Sequence, residues 1–420
     1  MDIKSTVPIP LQPSTNNTRE KIFALLNISV PVLTSVFLFF NPFSHTTAIK
    51  EICFYFSLSI VLILILAKKT VFSLDSPLTL PFTLFVIWSF CGLFFALDRV
   101  NSIHDFYANL IKYLALYYII INFFNSRKRL TLLSWTIIVS SGIFSLGGIL
   151  YFYLIQGNPL YIRMGFNPLS INYLGFVTVF SVLLSLHMIS RETHSIRKTV
   201  LLVCLLTSTV ATLLTQTRAN IVALIISLIL LMPRNKKAFV IFFPVLIIGF
   251  LIAPGLTNRM HLDRIIHNER IGMYLTTIEV VKAYPILGIG FGMDTYGNKN
   301  LIDLRKYNEM ISPEFRQKKI IPSTHNSWLD IAVRTGLVGL ALFLLIIATF
   351  VKMGWQLIRD GTDEFSRDWA LCTVSAMIAV SIQGMFVDGM FGPQVIVLYT
   401  IFAMMTISWK VHHNKSKVVR

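Results

Sequence analysis

Apolar runs of membrane-spanning length recur along the whole of this chain and leave it few ways to fold. A hydrocarbon core about 30 Å thick needs ~20 apolar residues per helix. Runs that meet or approach that length lie near 22–41, 51–67, 79–97, 106–125, 130–155, 170–190, 199–216, 218–233, 238–253, 328–351, 369–387 and 394–410. Composition points the same way. Of 420 residues, 14% are charged and 55% hydrophobic, whereas a soluble protein carries roughly 25% charge. A soluble fold would lack polar surface, and disorder, a coiled coil, collagen or a disulfide-stapled secreted domain is excluded. The sequence predicts an all-α, polytopic transmembrane helical bundle of about twelve helices.

The net charge of +17 would suggest nucleic acid in a soluble protein. Here it follows the positive-inside rule. With the N-terminus inside, the short cytoplasmic connections carry Lys68–Lys69, Arg127–Lys128–Arg129 and Arg234 with Lys236–Lys237. The short external loops hold only Lys50, Arg99, Arg163 and Arg218. Both termini are therefore expected in the cytoplasm, and the basic excess calls for no nucleic acid. The expected divisions are a cytoplasmic tail at 1–21, nine helices over 22–253, an external loop at 254–324, three helices over 325–410 and a tail at 411–420. No small-residue cleavage site follows a short apolar stretch, so the first helix reads as a retained anchor. Cys53, Cys91, Cys204 and Cys372 sit in apolar runs without a CxxC pair and read as small buried hydrophobes.

The long external loop breaks the pattern of short connections, and loops of this kind are commonly functional. Within it, Ile271, Tyr274, Leu275, Ile278 and Val281 recur at helical spacing. They predict an amphipathic helix from Glu269 to Tyr284, capped by Asn268 and ended by Pro285.

Three polar features gather on this external side. Arg218, in the knot Thr215-Gln216-Thr217-Arg218-Ala219-Asn220, is either a snorkelling cation or a planar donor that grips an anion bidentately. Glu269-Arg270 opens the predicted helix, where free N–H groups favour negative charge; Arg259 and Arg264 are nearby alternatives. Two arginines at one external mouth would suit a diphosphate. Ser323-Thr324-His325-Asn326-Ser327 joins the loop to the next helix, and His325 is either a boundary cap or a group for proton transfer near neutral pH. Asp330 and Arg334, four apart, are expected to neutralise one another. Asp388 is a weaker external candidate. Arg163, Asn172 and Gln216 could contact sugar or serve structure, as could the aromatics Phe291, Tyr296 and Trp328.

Gly288-Ile289-Gly290-Phe291-Gly292 lacks the third glycine of a dinucleotide fingerprint and the strand before it; close backbone packing accounts for it better. His261, His267 and His325 lack a carboxylate or thiol at ligand spacing, so no metal is expected.

His325-Asn326, nine residues, and then Gly336-Leu337-Val338-Gly339 resembles the signature of O-antigen ligases. Arg218 falls where that family has an R-x3-L motif, with Val222 in place of the leucine. Pro285-Ile286-Leu287-Gly288-Ile289-Gly290-Phe291-Gly292 resembles the family's P-I-x-G-x-G-x-G segment, and Arg270 its second important arginine. The resemblance implies a glycosyltransferase C-like bundle in the bacterial inner membrane with a large periplasmic loop. It implies a donor of O-antigen polysaccharide on undecaprenyl pyrophosphate, a lipid A–core acceptor, and neither cofactor nor metal. It also implies that Arg218 and Arg270 hold the pyrophosphate, His325 acts as general base and the anomeric carbon inverts; Asn326, Gln216, Arg163 and Asn172 stand beside them as candidate substrate contacts. The nearest rival is an O-antigen polymerase, which differs in its acceptor. A flippase is more remote, because no internal repeat is visible and Lys112 alone is a charge isolated in an apolar run.

Overall fold

The structure is a computed structural model describing residues 18–165, 171–232, 269–360, 363–387 and 393–418, with the single positions 240, 243 and 247. Among the described residues the regular elements are all helical. The first hairpin is α1 (Thr18–Phe40) and α2 (Thr47–Leu66), followed by α3 (Thr79–Leu93). Then α4 (Arg99–Asp105) runs through a π-helical turn, Phe106–Ile111, into α5 (Lys112–Phe123). Next come α6 (Arg127–Ile149) with a second π turn at Leu150–Ile155, α7 (Ile171–Ile189), α8 (Ser195–Leu214) and α9 (Arg218–Leu231). The long connection carries α10 (Glu269–Ala283) and α11 (Leu304–Met310), and α12 (Ser327–Asp360), α13 (Glu364–Gly384) and α14 (Pro393–Val418) complete the bundle.

Eight of these helices are long and apolar enough to cross a membrane, and α3, α7 and α9 are shorter apolar helices. Together they account for every expected run except 238–253, which apart from positions 240, 243 and 247 lies outside the described residues. Side-chain caps mark several starts: Asp98 accepts from the Asn101 amide, Ser126 from Arg129 and Asp363 from Ser366. The chain is a multi-pass membrane protein. Leu25, Ile28 and Val32 of α1, Ile52 and Phe56 of α2, and Ile225 and Ile229 of α9 turn outward, as lipid requires.

α7 and α14 form the centre, apolar all round and buried on every face. The hydroxyls of α14 cost little there, because Thr400, Thr406 and Ser408 donate to carbonyls one turn back. Lys112 pairs with Glu51 of α2 and lies 5.4 Å from the Phe54 ring, so that isolated charge has its partner.

α12 is not one continuous helix. At Gly336 the backbone takes φ 71° and ψ 179°, a region open essentially only to glycine. The segment after Pro285 lies in this break and uses the hydrogen-bonding groups that it frees. The Leu337 amide donates to Pro285 O (2.8 Å), the Ile289 amide to Val333 O (2.8 Å) and the Gly290 amide to Arg334 O (3.1 Å). The Trp88 indole donates to Thr335 O at 2.9 Å. In an apolar bundle each group left unpaired would cost several kcal/mol, so break and segment require one another. A Cβ on Gly336 would run into Ile286 O, and one on Gly339 into the Thr335 hydroxyl. Close packing therefore explains both glycines of the histidine motif as well as the glycine-rich segment.

Below the break, Arg334 pairs with Asp330 (2.8 Å), with side chains only 6% and 2% exposed. Its other guanidinium nitrogens donate to Gly292 O and, at 3.1 Å, to Met293 O. The far side of this segment is held by α4, where Ser102, Asp105 and Asn101 accept from the amides of Gly292 (3.1 Å), Met293 (2.6 Å) and Asp294 (3.1 Å).

The helix expected at 269–284 is α10, but its buried face differs from the expected one. Of the predicted stripe only Val281 is buried, while Met273, Thr276, Thr277 and Val280 point inward and Ile278 is exposed. The threonines tolerate burial because each donates back to its own helix, to Gly272 O and Met273 O respectively (2.7 Å). Thr277 also meets the Tyr296 hydroxyl at 2.9 Å. Satisfied hydroxyls thus displace the isoleucines from the core face.

Gly336→Ala is expected to destabilise the protein by about 2–4 kcal/mol, from the glycine-only conformation and the overlap with Ile286. Gly147→Ala, where a Cβ meets nothing within 4 Å, is the control. Thermal unfolding in detergent checks this; equal melting temperatures for the two variants would refute the account of the break.

Candidate active site

Three segments far apart in sequence meet at the C-terminal end of α13 and the turn that follows it. From α9, Asn220 accepts a hydrogen bond from Gln383 (3.0 Å) and donates to the Thr215 hydroxyl (3.3 Å). From α10, the Tyr274 hydroxyl donates to Met385 O at 2.7 Å and lies 3.3 Å from His325 O. Also from α10, Arg270 lies over the Phe386 ring, 5.7 Å from its centre. From the start of α12, the Ser327 hydroxyl donates to Val387 O at 3.0 Å. Arg218, Arg270 and His325 thus stand on three elements that share one anchor.

Arg218 is the first residue of α9, and Thr217 before it makes no side-chain cap. The Thr217 hydroxyl is engaged otherwise, donating to Thr215 O (3.3 Å) and accepting from Arg163 (2.9 Å). The helix therefore presents its positive end next to the Arg218 guanidinium. Arg218 is half-buried and, among the described residues, has no hydrogen-bond or ion-pair partner. Its neighbours are occupied with structure. Arg163 also donates to Thr215 O at 3.0 Å, and buried Gln216 donates to Leu160 O (3.3 Å) and Tyr161 O (3.2 Å). These two side chains hold the 158–164 loop onto the turn between α8 and α9.

His325 has φ 43°, a conformation uncommon outside glycine, though less so for histidine. It lies between Ser323, whose hydroxyl accepts its amide (3.3 Å), and Asn326. Asn326 Oδ1 accepts from the amides of Trp328 (2.9 Å) and Leu329 (3.2 Å), capping α12. The histidine is therefore fixed on one side by a helix cap and on the other, through its carbonyl, by Tyr274.

Asn172 lies in the first turn of α7 with its side chain outside the described residues, as is that of Glu269. Asp388, Arg259, Arg264, His261 and His267 also lie outside them. Among the described residues no three His, Cys, Asp or Glu side chains come together as a metal site. Phe291 and Tyr296 are buried in the packing around the glycine-rich segment. Trp328 packs on Phe343 with centroids 5.9 Å apart.

The sequence reading passed over Tyr274, Asn220 and Gln383. Tyr274 was counted for its ring, not its hydroxyl. Gln383 has a readable signal, an amide in an apolar run just before the C-terminal end of its helix.

A multi-pass membrane protein with cationic and imidazole side chains gathered at one end of its bundle is the class that this fold and site define. Residues 201–344 match the family model described as O-Antigen ligase, a segment that contains Arg218, Arg270 and His325. Over that segment the chain is similar to O-antigen ligases, which supports a membrane enzyme of the ligase and polymerase type. A search of curated proteins finds no match.

Tyr274→Phe removes the hydroxyl that ties α10 to Met385 and His325. One hydrogen bond is worth about 0.5–1.5 kcal/mol, so the fold should survive, while the glycan-transfer rate falls about tenfold if a ΔΔG‡ near 1.4 kcal/mol is lost. Rate and melting temperature measured together decide it; an unchanged rate would remove Tyr274 from the site.

Proposed function

We propose that this protein is an O-antigen ligase. On the periplasmic face of a bacterial inner membrane it transfers O-antigen polysaccharide from undecaprenyl pyrophosphate to a sugar hydroxyl of lipid A–core. The observation that supports this reading is the shared anchoring, at the C-terminal end of α13, of the elements that carry three groups. They are an unengaged arginine on an uncapped helix N-terminus, a second arginine, and a histidine held at positive φ. The family match over the same residues supports it.

In this reading Arg218 and the α9 N-terminus take one phosphate of the donor and Arg270 the other. The bond between the anomeric carbon and the pyrophosphate oxygen breaks as the acceptor oxygen attacks from the opposite face, inverting the carbon. Undecaprenyl pyrophosphate leaves, and its growing charge is what the arginines stabilise. The acceptor hydroxyl proton passes to His325. No nucleotide sugar enters, because pyrophosphate is already a good leaving group and the remaining work is positioning. Asn326 spends its carbonyl oxygen on the cap and keeps its amide NH2 for substrate. Gln216 and Arg163 serve by fixing the loop beside Arg218.

Purified full-length protein, lipid-linked polysaccharide and lipid A–core test the reading. His325→Ala should slow transfer by about 10²–10⁴, and Arg218→Ala by about 10²–10³, with melting temperatures held. Undiminished transfer by both variants would refute the site. Elongation of a second lipid-linked glycan, with no product on lipid A–core, would make the protein a polymerase.

A further inference from the structure

A second cationic feature lies on the long connection, apart from the three site residues. A concave surface of about 790 Å³ opens between the turn at 297–299, α11 and the segment 317–322, within the range of about 300–1,000 Å³ usual for ligand clefts. Lys299, Arg305, Lys318 and Lys319 line it from all three segments. Among the described residues none of the four side chains has a hydrogen-bond or ion-pair partner. Two other cations of the connection behave differently: Arg316 donates to Ile311 O and Glu309 O, and Lys282 pairs with Glu279. Two carboxylates also line the surface, Asp303 and Glu309. Asp303 is occupied in capping α11 through the Arg305 amide (3.1 Å), so positive charge is in excess.

The floor is built rather than open loop. Asn308, 7% exposed, accepts from the Gln317 amide (2.9 Å) and donates to Gln317 O (3.2 Å). Gln317 reaches Thr276 of α10 at 3.3 Å and accepts from the Ile321 amide at 3.2 Å. Like charges gathered without partners over a fixed floor repel one another, and a concave wall focuses their field on an incoming anion. Lysine offers point charges for phosphate, and arginine a bidentate fork.

We infer that this groove binds the anionic groups, phosphate or carboxylate, of the acceptor glycan and presents that glycan to the site. The inference rests on the ligase reading for its choice of acceptor. Position supports the choice. Pro322 lines the groove and stands three residues before His325, a span of at most ~10 Å. Thr276 beneath it is two residues from Tyr274. The charge of the donor, a pyrophosphate, already has its place at Arg218 and Arg270, so a separate groove serves the other substrate.

The test measures binding without transfer. Full-length protein in nanodiscs of zwitterionic lipid is titrated with deacylated, phosphorylated lipopolysaccharide core, before and after phosphatase treatment. The combined variant Lys299→Gln, Arg305→Gln, Lys318→Gln and Lys319→Gln should bind the phosphorylated core about tenfold more weakly, as the loss of several exposed charge contacts predicts. Lys318→Arg with Lys319→Arg should bind as the parent does, and the dephosphorylated core should distinguish parent from the glutamine variant less than the phosphorylated core does. Equal affinity of parent and glutamine variant for the phosphorylated core would overturn the inference. So would a charge-dependent gain seen only with anionic lipid vesicles, or only with the lipid-linked donor. Absence of transfer by the parent would sink the ligase reading while leaving the binding result to decide the groove.

Discussion

The break in α12 at Gly336 is the constraint on which the rest of this end of the bundle depends. A helix interrupted inside an apolar bundle frees amides and carbonyls that lipid cannot satisfy, and here the segment from Pro285 to Gly290 pairs with them. The same contact fixes the end of α10 on one side and, through Arg334 and Asp330, the first turns of α12 on the other. His325 precedes those turns and Arg270 begins the helix that ends at the segment. A backbone irregularity therefore sets the distance between two groups of the proposed site. The buried Asp330–Arg334 pair works within this lock, since its guanidinium also holds the carbonyls of Gly292 and Met293.

Around the third group, Arg218, the charges and amides divide their roles. Arg163, Gln216 and Asn220 spend their hydrogen bonds on backbone and neighbouring side chains. Arg218 spends none among the described residues, and it sits on a helix end whose own amides lack a side-chain cap. A cation held on a fixed frame without an internal partner is prepared for an anion. That contrast, more than position alone, separates it from a snorkelling arginine.

Much of the bundle was legible because span length and apolar content are set by the bilayer, and each run within the described residues is helical. The glycine-rich segment was legible as close packing, since glycines spaced that tightly leave room for another backbone. Other features depended on partners that no local pattern records. The inward face of α10 is chosen by Thr276 and Thr277, whose hydroxyls are satisfied by their own helix and by Tyr296. The 34-residue α12 reads as one apolar run, and its break shows only when Pro285 and Trp88 are seen beside it. Lys112 looked isolated because Glu51 stands on another helix. His325 and the arginines were found through a motif, whereas Tyr274 and Gln383 act through contacts across more than a hundred positions of sequence.

The central claim is that Arg218 and Arg270, on separate helices, grip one pyrophosphate. A double-mutant cycle on single-turnover transfer measures this most directly, using Arg218→Ala, Arg270→Ala and the pair. Groups acting on one ligand couple by about 0.5–3 kcal/mol. The account predicts that the double variant loses less than the sum of the two single losses by an amount in that range. Strictly additive losses would contradict it, because they would mean that the two arginines act on separate events.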